Sequence, residues 1–478
     1  MTPRRALWFH RVFDSVGVGY YFDMLTRFEV DGFKNLRNLA IDLGPYTCVA
    51  GANAIGKSNL FDALQFLALT GSRTLNEAAI KIRGNGGDVR DIFAPGGKMS
   101  FAAEMITEKE FEDSFGKSIT ADQTYLRYEV DPELRDVTVG NNRNVSSIVV
   151  TREELKPLTK ADAREKLGWA KKSFVESAIM GGRRKAFIET SEQERQIHVR
   201  HGSQGRPSLV SLSGDAPART ALSVYGQQDQ YPVIMAARRE LDAWMYLSLE
   251  PSAMRAPSEA LAPDFISAKG GNLPKTLDRL VGQSPDHDVL AELADIVGDL
   301  VDVRSVTVDF DEARQVFTLQ AQVGNGGVVS ARSLSDGTLR FLVLGTILLD
   351  SEGSRLICFE EPENGIDPLK IQAMYWLLHD LSVDPEEAIG SENPLRQVIV
   401  NTHSPAFLAL HKDNFDELLL GSKDPMNGSL VLTPVVAEGS WRKSKVKASA
   451  ANVEELLRES FPELSFRELF VADDEGER

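Results

Sequence analysis

Two cysteines in 478 residues leave little room for a disulfide framework or a thiolate metal site. Cys48 and Cys358 each lie inside a short apolar run, with no Cys or His at metal spacing. That is the pattern of buried structural thiols. No stretch approaches the roughly 18 to 20 apolar residues that a membrane span needs. Residues 1–23 begin basic but lack a continuous apolar core, so they make a poor secretion signal and the expected location is cytoplasmic. Positive charge is also short. The formal net charge of −17 argues against a protein coated for nucleic acid. There is no internal repeat and no sustained heptad run, which excludes a long coiled-coil arm.

What remains is an ordinary globular composition, 42% hydrophobic and 26% charged, long enough for two or three domain-sized units. The charge is uneven. Residues 151–210 hold 13 Lys/Arg against 8 Asp/Glu, and residues 451–478 hold 9 Asp/Glu against 3 Arg. A local basic face around Arg183, Arg184 and Lys185 and a plain mixed-charge surface are both compatible with this.

The segment 28–51 reads as short strands broken by turns, and Leu60 to Leu67 carry a helical apolar pattern. "SVTVDF" and "VFTLQAQV" alternate like a hairpin. From Leu334 the chain runs helix, strand, helix, strand, which is the rhythm of an α/β sheet. The expected layout is an N-terminal extension (1–23), a first head segment (24–100), an insert (101–300), a second head segment (301–420) and a C-terminal strand, helix and acidic tail (421–478). The insert is mixed; the stretch "REELKPLTKADAREKLGWAKKSFVESAI" suggests helices, and an inserted α/β lobe rich in helix is expected.

"GANAIGKS", Gly51 to Ser58, fits G-x-x-x-x-G-K-[ST] between an apolar strand and a helix. Glycines let the backbone curl around phosphate oxygens, and the helix N-terminus adds positive dipole. Lys57 would meet the β- and γ-phosphates, and Ser58 would offer a hydroxyl to Mg²⁺. A nucleotide loop needs a second strand that ends in acid. "LICFEEPENGIDP" supplies it: Glu360 for the metal and Glu361 to polarise the attacking water. Glu363 has no assignment; it would hold the loop, reach a partner or be solvated.

Three more stretches complete the pattern: "SLSDGT" before the acidic strand, "GIDP" after it, and "VIVNTHSP" with His403. The order resembles ABC-type ATPase heads, most of all the RecF, SMC and OLD-like branch, whose opening is similar to "GFKNL…AGANAIGKSN". "PSAMRAPS…GGNLPKTLDRL" also resembles the linker of small RecF-like and OLD-like members. The resemblance covers about 24–100 and 245–420. Ala54 stands where many members have Gly, and Glu360 where most have Asp. The implied fold is an α/β P-loop head with a mixed sheet flanked by helices and an N-terminal antiparallel β layer.

The implied function is an ATPase with ATP and Mg²⁺ as cofactors, hydrolysing slowly. Gly51, Asn53, Gly56, Lys57, Ser58 and Asn59 would bind nucleotide. Ser335 and Gly337 of one subunit would cap the γ-phosphate held by another, with Asp367 at the seam of a homodimer or higher oligomer. His403 would contact the γ-phosphate or the water, and Arg340 would face the partner, the phosphate or a surface carboxylate. The separation of 277 positions from Ser58 to Ser335 disfavours a transporter subunit. The 75 residues after His403 are too few for the nuclease domain of OLD-family enzymes. The expected role is a sensor or clamp controlling a partner effector such as a nuclease, in anti-phage defence or DNA transactions. The alternatives are a RecF-like repair protein gripping duplex DNA, and a structural oligomer that touches no DNA.

Overall fold

The computed structural model describes residues 24–442, except 83–87, 114, 140–142, 183–184, 192, 194–195, 202–207, 212–216, 351, 354, 391–392, 413 and 437–438. The expectations for residues 1–23, for Arg183 and Arg184 and for the tail from Lys443 onward lie outside the described residues.

Six strands form the head sheet, in the order Trp244–Leu247, Leu356–Glu360, Gln397–Thr402, Tyr46–Ala50, Leu418–Lys423, Leu430–Pro434. The first five run parallel, and the last is antiparallel to its neighbour. Successive side chains of a strand point to opposite faces, so a strand covered on both sides must be apolar throughout. The sequence "LICF" meets that demand in full, and "YTCVA" meets it but for Thr47, whose buried hydroxyl accepts from the Gly44 N–H at 3.4 Å.

The alternation sorts two cores. Val49, Cys358, Ile399 and Leu419 face one, together with Leu60, Phe61 and Leu64 of the helix Lys57–Thr70. Cys48, Ala50, Ile357, Phe359, Val398 and Val400 face the other, together with Leu339, Leu342 and Val343 of the helix Asp336–Leu349. The sheet therefore lies between these two helices.

Above the Lys57 helix sits an eight-stranded antiparallel sheet, ordered Ser208–Ser211, Gln196–Val199, Ile188–Ser191, Arg143–Pro157, Tyr125–Val139, Ser100–Ile106, Met24–Asp31, Leu39–Asp42. Phe33, Phe66 and Phe101 close the interface, with ring centroids 5.4–5.9 Å apart. This corrects the expected α-rich lobe. The first half of the insert is mainly strand, and it extends the N-terminal β layer rather than forming a separate body. "REELKP" ends a 15-residue strand, followed by two short helices, Lys160–Lys166 and Lys172–Ala178. The strand Trp244–Leu247, also inside the insert, is the edge of the head sheet. The predicted hairpin is present as Val303–Asp311 and Val316–Val323. No described helix is long and apolar enough to cross a membrane, and both cysteines are buried and free.

The outer face of the antiparallel sheet carries a ladder of ion pairs. Arg127 meets Glu29 and Glu129, Arg152 meets Glu129 and Glu154, and Lys166 meets Glu104. On the inner side, Glu153 is fully buried. It accepts from the backbone N–H groups of Ala221 and Leu222 and from the Tyr128 hydroxyl. Desolvation outweighs these donors and pushes its pKa up to about 7. The fold therefore favours the protonated acid. The resulting stabilisation is present below pH 4.5 and is lost as pH rises to about 7, an effect of up to roughly 3 kcal/mol. Burial also raises the Glu240 pKa, in the same direction. The thermal midpoint is expected to fall between pH 4.5 and 7, and to fall less in Glu153→Gln; scanning calorimetry across that window checks it.

Candidate functional site

The strand Tyr46–Ala50 runs straight into the loop Gly51–Gly56, and Lys57 opens the following helix. Two glycines are needed there for steric reasons. A Cβ on Gly51 would lie 2.6 Å from Ile55 Cδ1 and 2.7 Å from the Gly421 carbonyl oxygen. Gly56 has φ +104°, and a Cβ there would strike the Asn35 amide at 2.3 Å. Ala54 also lies at positive φ, +62°. That explains why glycine suits the position, and the alanine costs about 1 kcal/mol of backbone strain.

Lys57 is buried, and its Nζ donates to the carbonyls of Gly51 (2.6 Å) and Ala52 (2.8 Å). Desolvation lowers its pKa, opposed by the charges of Glu361 and Glu363. The acidic strand thus sends its field to the loop. Sheet register places it there: Glu360 pairs with Asn401, which pairs with Val49. Asn53 sits exposed on the loop, and Ser58 is half-buried in the first helical turn. Asn59 Nδ2 donates to Asn35 Oδ1 at 2.7 Å. Asn35 in turn donates to the Ile55 carbonyl at 3.1 Å. Asn35 is thus a loop-holding residue without an assignment from the sequence, where only its place in "GFKNL" hinted at it.

At the acidic strand end, Glu361 has φ +47°, a strained conformation for a residue with a side chain. Its backbone N–H donates to the Asn401 carbonyl (3.0 Å) and to Asn401 Oδ1 (3.2 Å). Asn364 Nδ2 donates to one carboxylate oxygen, and His403 Nδ1 lies 2.8 Å from the other. Glu361 and His403 are both partly open to solvent. The structure thus unites the two residues expected to handle water. Glu363 differs. It is buried, Thr402 Oγ1 donates to its carboxylate, and desolvation raises its pKa. It holds the loop to the His403 strand.

Among the described residues no cluster of three or more His, Cys, Asp or Glu forms a ready metal cage. The Ser58 hydroxyl and the Glu360 carboxylate are hard oxygen donors, the kind Mg²⁺ takes alongside phosphate oxygens and water. The residues fit a nucleotide-borne Mg²⁺ and do not fit a dedicated protein metal site.

Ser335 caps the helix Asp336–Leu349, its Oγ accepting from the Thr338 N–H at 3.1 Å. Ser335, Gly337, Ile366, Asp367, Asp302 and Lys370 line a groove of about 490 Å³. Asp367 Oδ1 accepts from the Leu369 N–H at 2.9 Å and caps its own turn. Arg340 reaches across to the Leu249 carbonyl at 3.4 Å and lies beside Gly365, with no carboxylate at ion-pair distance among the described residues. The helix from Lys57 packs on Leu75–Lys81, Pro232–Asp242 and Trp244–Leu247. The helix from Asp336 packs on Pro251–Met254, Leu273–Gln283, Val289–Val301 and Ile371–Asp380. The helices that carry Lys57 and Ser335 thus lie on opposite faces of the sheet, while the acids and His403 follow the ends of the strands between them; the turn after the acids meets the signature turn, with the Gly365 carbonyl oxygen 3.7 Å from where a Cβ on Gly337 would stand.

A family described as "AAA domain, putative AbiEii toxin, Type IV TA system" matches residues 213–409. A family described as a protein of unknown function (DUF2813) matches 23–78. Over 60 residues the chain is 42% identical to the DNA replication and repair protein RecF of Lactobacillus gasseri, covering 12% of this chain and 16% of that relative's length. Among solved structures, an SMC head bound to the C-winged helix domain of ScpA is 13% identical, with a TM-score of 0.47 over 87% of this chain and 98% of the other. The SMC head domain from Thermotoga maritima is 11% identical, with a TM-score of 0.37 over 86% and 99%.

Proposed function

We propose that the chain is a RecF/SMC-like ABC-type P-loop ATPase head that binds ATP with Mg²⁺, dimerises on it and hydrolyses it slowly. One observation carries the reading. The head sheet separates the Lys57 helix from the Ser335 helix. That separation supports a site in which the signature turn of a second copy would close over the loop of the first. Within one copy, Lys57 and Ser58 would hold the phosphates and Glu360 would help hold the metal. Glu361 would take the proton of the attacking water, while His403 steadies its charge. Bound Mg²⁺ would neutralise phosphate charge.

The dimer would serve as a sensor or clamp for a separate effector, with a nuclease as the expected class, in anti-phage defence or DNA transactions. The toxin named in the matching family's description is in keeping with a two-component system. The alternative is a RecF-like grip on duplex DNA, favoured by the local RecF match. Charge pairing weighs against it. Arg152, Lys156, Lys160, Arg164, Lys166 and Arg200 each face a carboxylate, which leaves less free positive charge than the composition suggests.

Light scattering with and without Mg-ATP tests the proposal. The expected result is a doubling of mass with ATP and none with ADP; a mass unchanged by ATP at saturating occupancy contradicts it. Duplex binding that weakens steeply with salt would favour the repair reading.

A further inference from the structure

We propose that Arg255 is the positioning residue of the signature turn, and that the segment 248–255 is the strap through which the acidic strand sets that turn. The role in turnover rests on the composite-site reading above. Arg255 follows the short helix Pro251–Met254, which packs on the signature helix. Its guanidinium holds the turn at two points. One Nη2 donates both to the Leu334 carbonyl, at 3.0 Å, and to the Asp336 carboxylate. These two residues flank Ser335. The pair is only partly exposed on the arginine side. A charge-assisted contact on one side chain and one main-chain oxygen fixes the direction of the Ser335 turn far better than either alone.

The same strap grips the helix a second time, where the Leu249 carbonyl accepts from Arg340 Nη2. It also has a firm origin. It continues from the strand Trp244–Leu247, whose last residue pairs with Phe359, next to Glu360 and Glu361. The chain path from the water-handling acids to the signature turn is therefore short: acidic strand, edge strand, strap, Arg255. A shift of the acidic strand end would be carried to Ser335 along it.

Arg255 touches no residue placed at the phosphate loop, so its removal is expected to leave nucleotide affinity within twofold. In Arg255→Ala, hydrogen exchange of the peptide 333–340 should rise at least tenfold while that of 51–60 stays unchanged. ATP turnover and ATP-dependent dimerisation should fall at least tenfold. Asp336→Asn, which keeps the fold's shape and removes only the charge, should show a smaller change in the same direction. Arg255→Lys, which keeps the charge but loses the fork, should restore part of the protection. Unchanged exchange at 333–340 in Arg255→Ala would overturn the proposal. Loosened exchange in Arg255→Ala, together with a wild type that neither dimerises nor turns over ATP, would leave the positioning role standing and sink the composite-site reading instead.

Discussion

Lys57→Ala is expected to abolish nucleotide binding, with affinity lowered more than 100-fold in calorimetry. That corresponds to about 3 kcal/mol or more, in line with a charge-assisted contact to phosphate lost from a desolvated position. The ammonium is already held at the loop by the Gly51 and Ala52 carbonyls and is drawn there by Glu361 and Glu363. It therefore needs little reorganisation to meet phosphate. The fold should survive, because the helix buries its apolar face through Leu60, Phe61, Leu64 and Phe66, none of which the change touches. Unchanged affinity would sink the assignment of Gly51–Ser58.

Glu361→Gln is expected to lower ATP turnover by about 10² to 10⁴, the range for loss of a general base, while affinity changes little. The loop geometry does not depend on the carboxylate charge. Asn401 grips the backbone N–H of Glu361, which the substitution leaves in place. Glutamine also keeps an acceptor for Asn364. The variant should therefore accumulate as an ATP-bound dimer. Glu363→Gln provides the contrast. That side chain is buried against Thr402, so its replacement should cost stability more than turnover. The reverse ranking of the two variants would move the base from Glu361 to Glu363.

The parts of the site legible in the sequence are those set by local chemistry. A loop that must wrap phosphate needs its glycines and lysine within a few residues, between a strand and a helix. An acidic strand end needs an apolar run before it. What escaped depends on distant partners. Asn35 acts on Ile55 and Asn59, and Arg255 acts on Leu334 and Asp336, contacts that no spacing along the chain announces. Asn401 reads as one polar residue at the end of an apolar strand. Its backbone role appears only when Glu361 is found at positive φ beside it.

The misread insert has a related cause. In "REELKP" the charges obscure a period of two, with Arg152, Glu154 and Lys156 on one face and Glu153 and Leu155 on the other. Their neutralising partners, Glu129 above all, lie on a neighbouring strand. A charged segment that looks like a solvated helix is a strand when the adjoining strand supplies the opposite charges.

The central claim is that each catalytic site is shared between two copies, and it is tested most directly by mixing two dead variants. Lys57→Ala spoils the loop of its own copy, and Ser335→Arg spoils the turn that copy offers to its partner. Each variant alone should turn over ATP at least 100-fold more slowly than the wild type. Mixed in equal amounts, they should form heterodimers with one intact site, and activity should return to about a quarter of the wild-type rate under random pairing. Activity that stays at the level of the separate variants, with heterodimers present, would contradict the shared site.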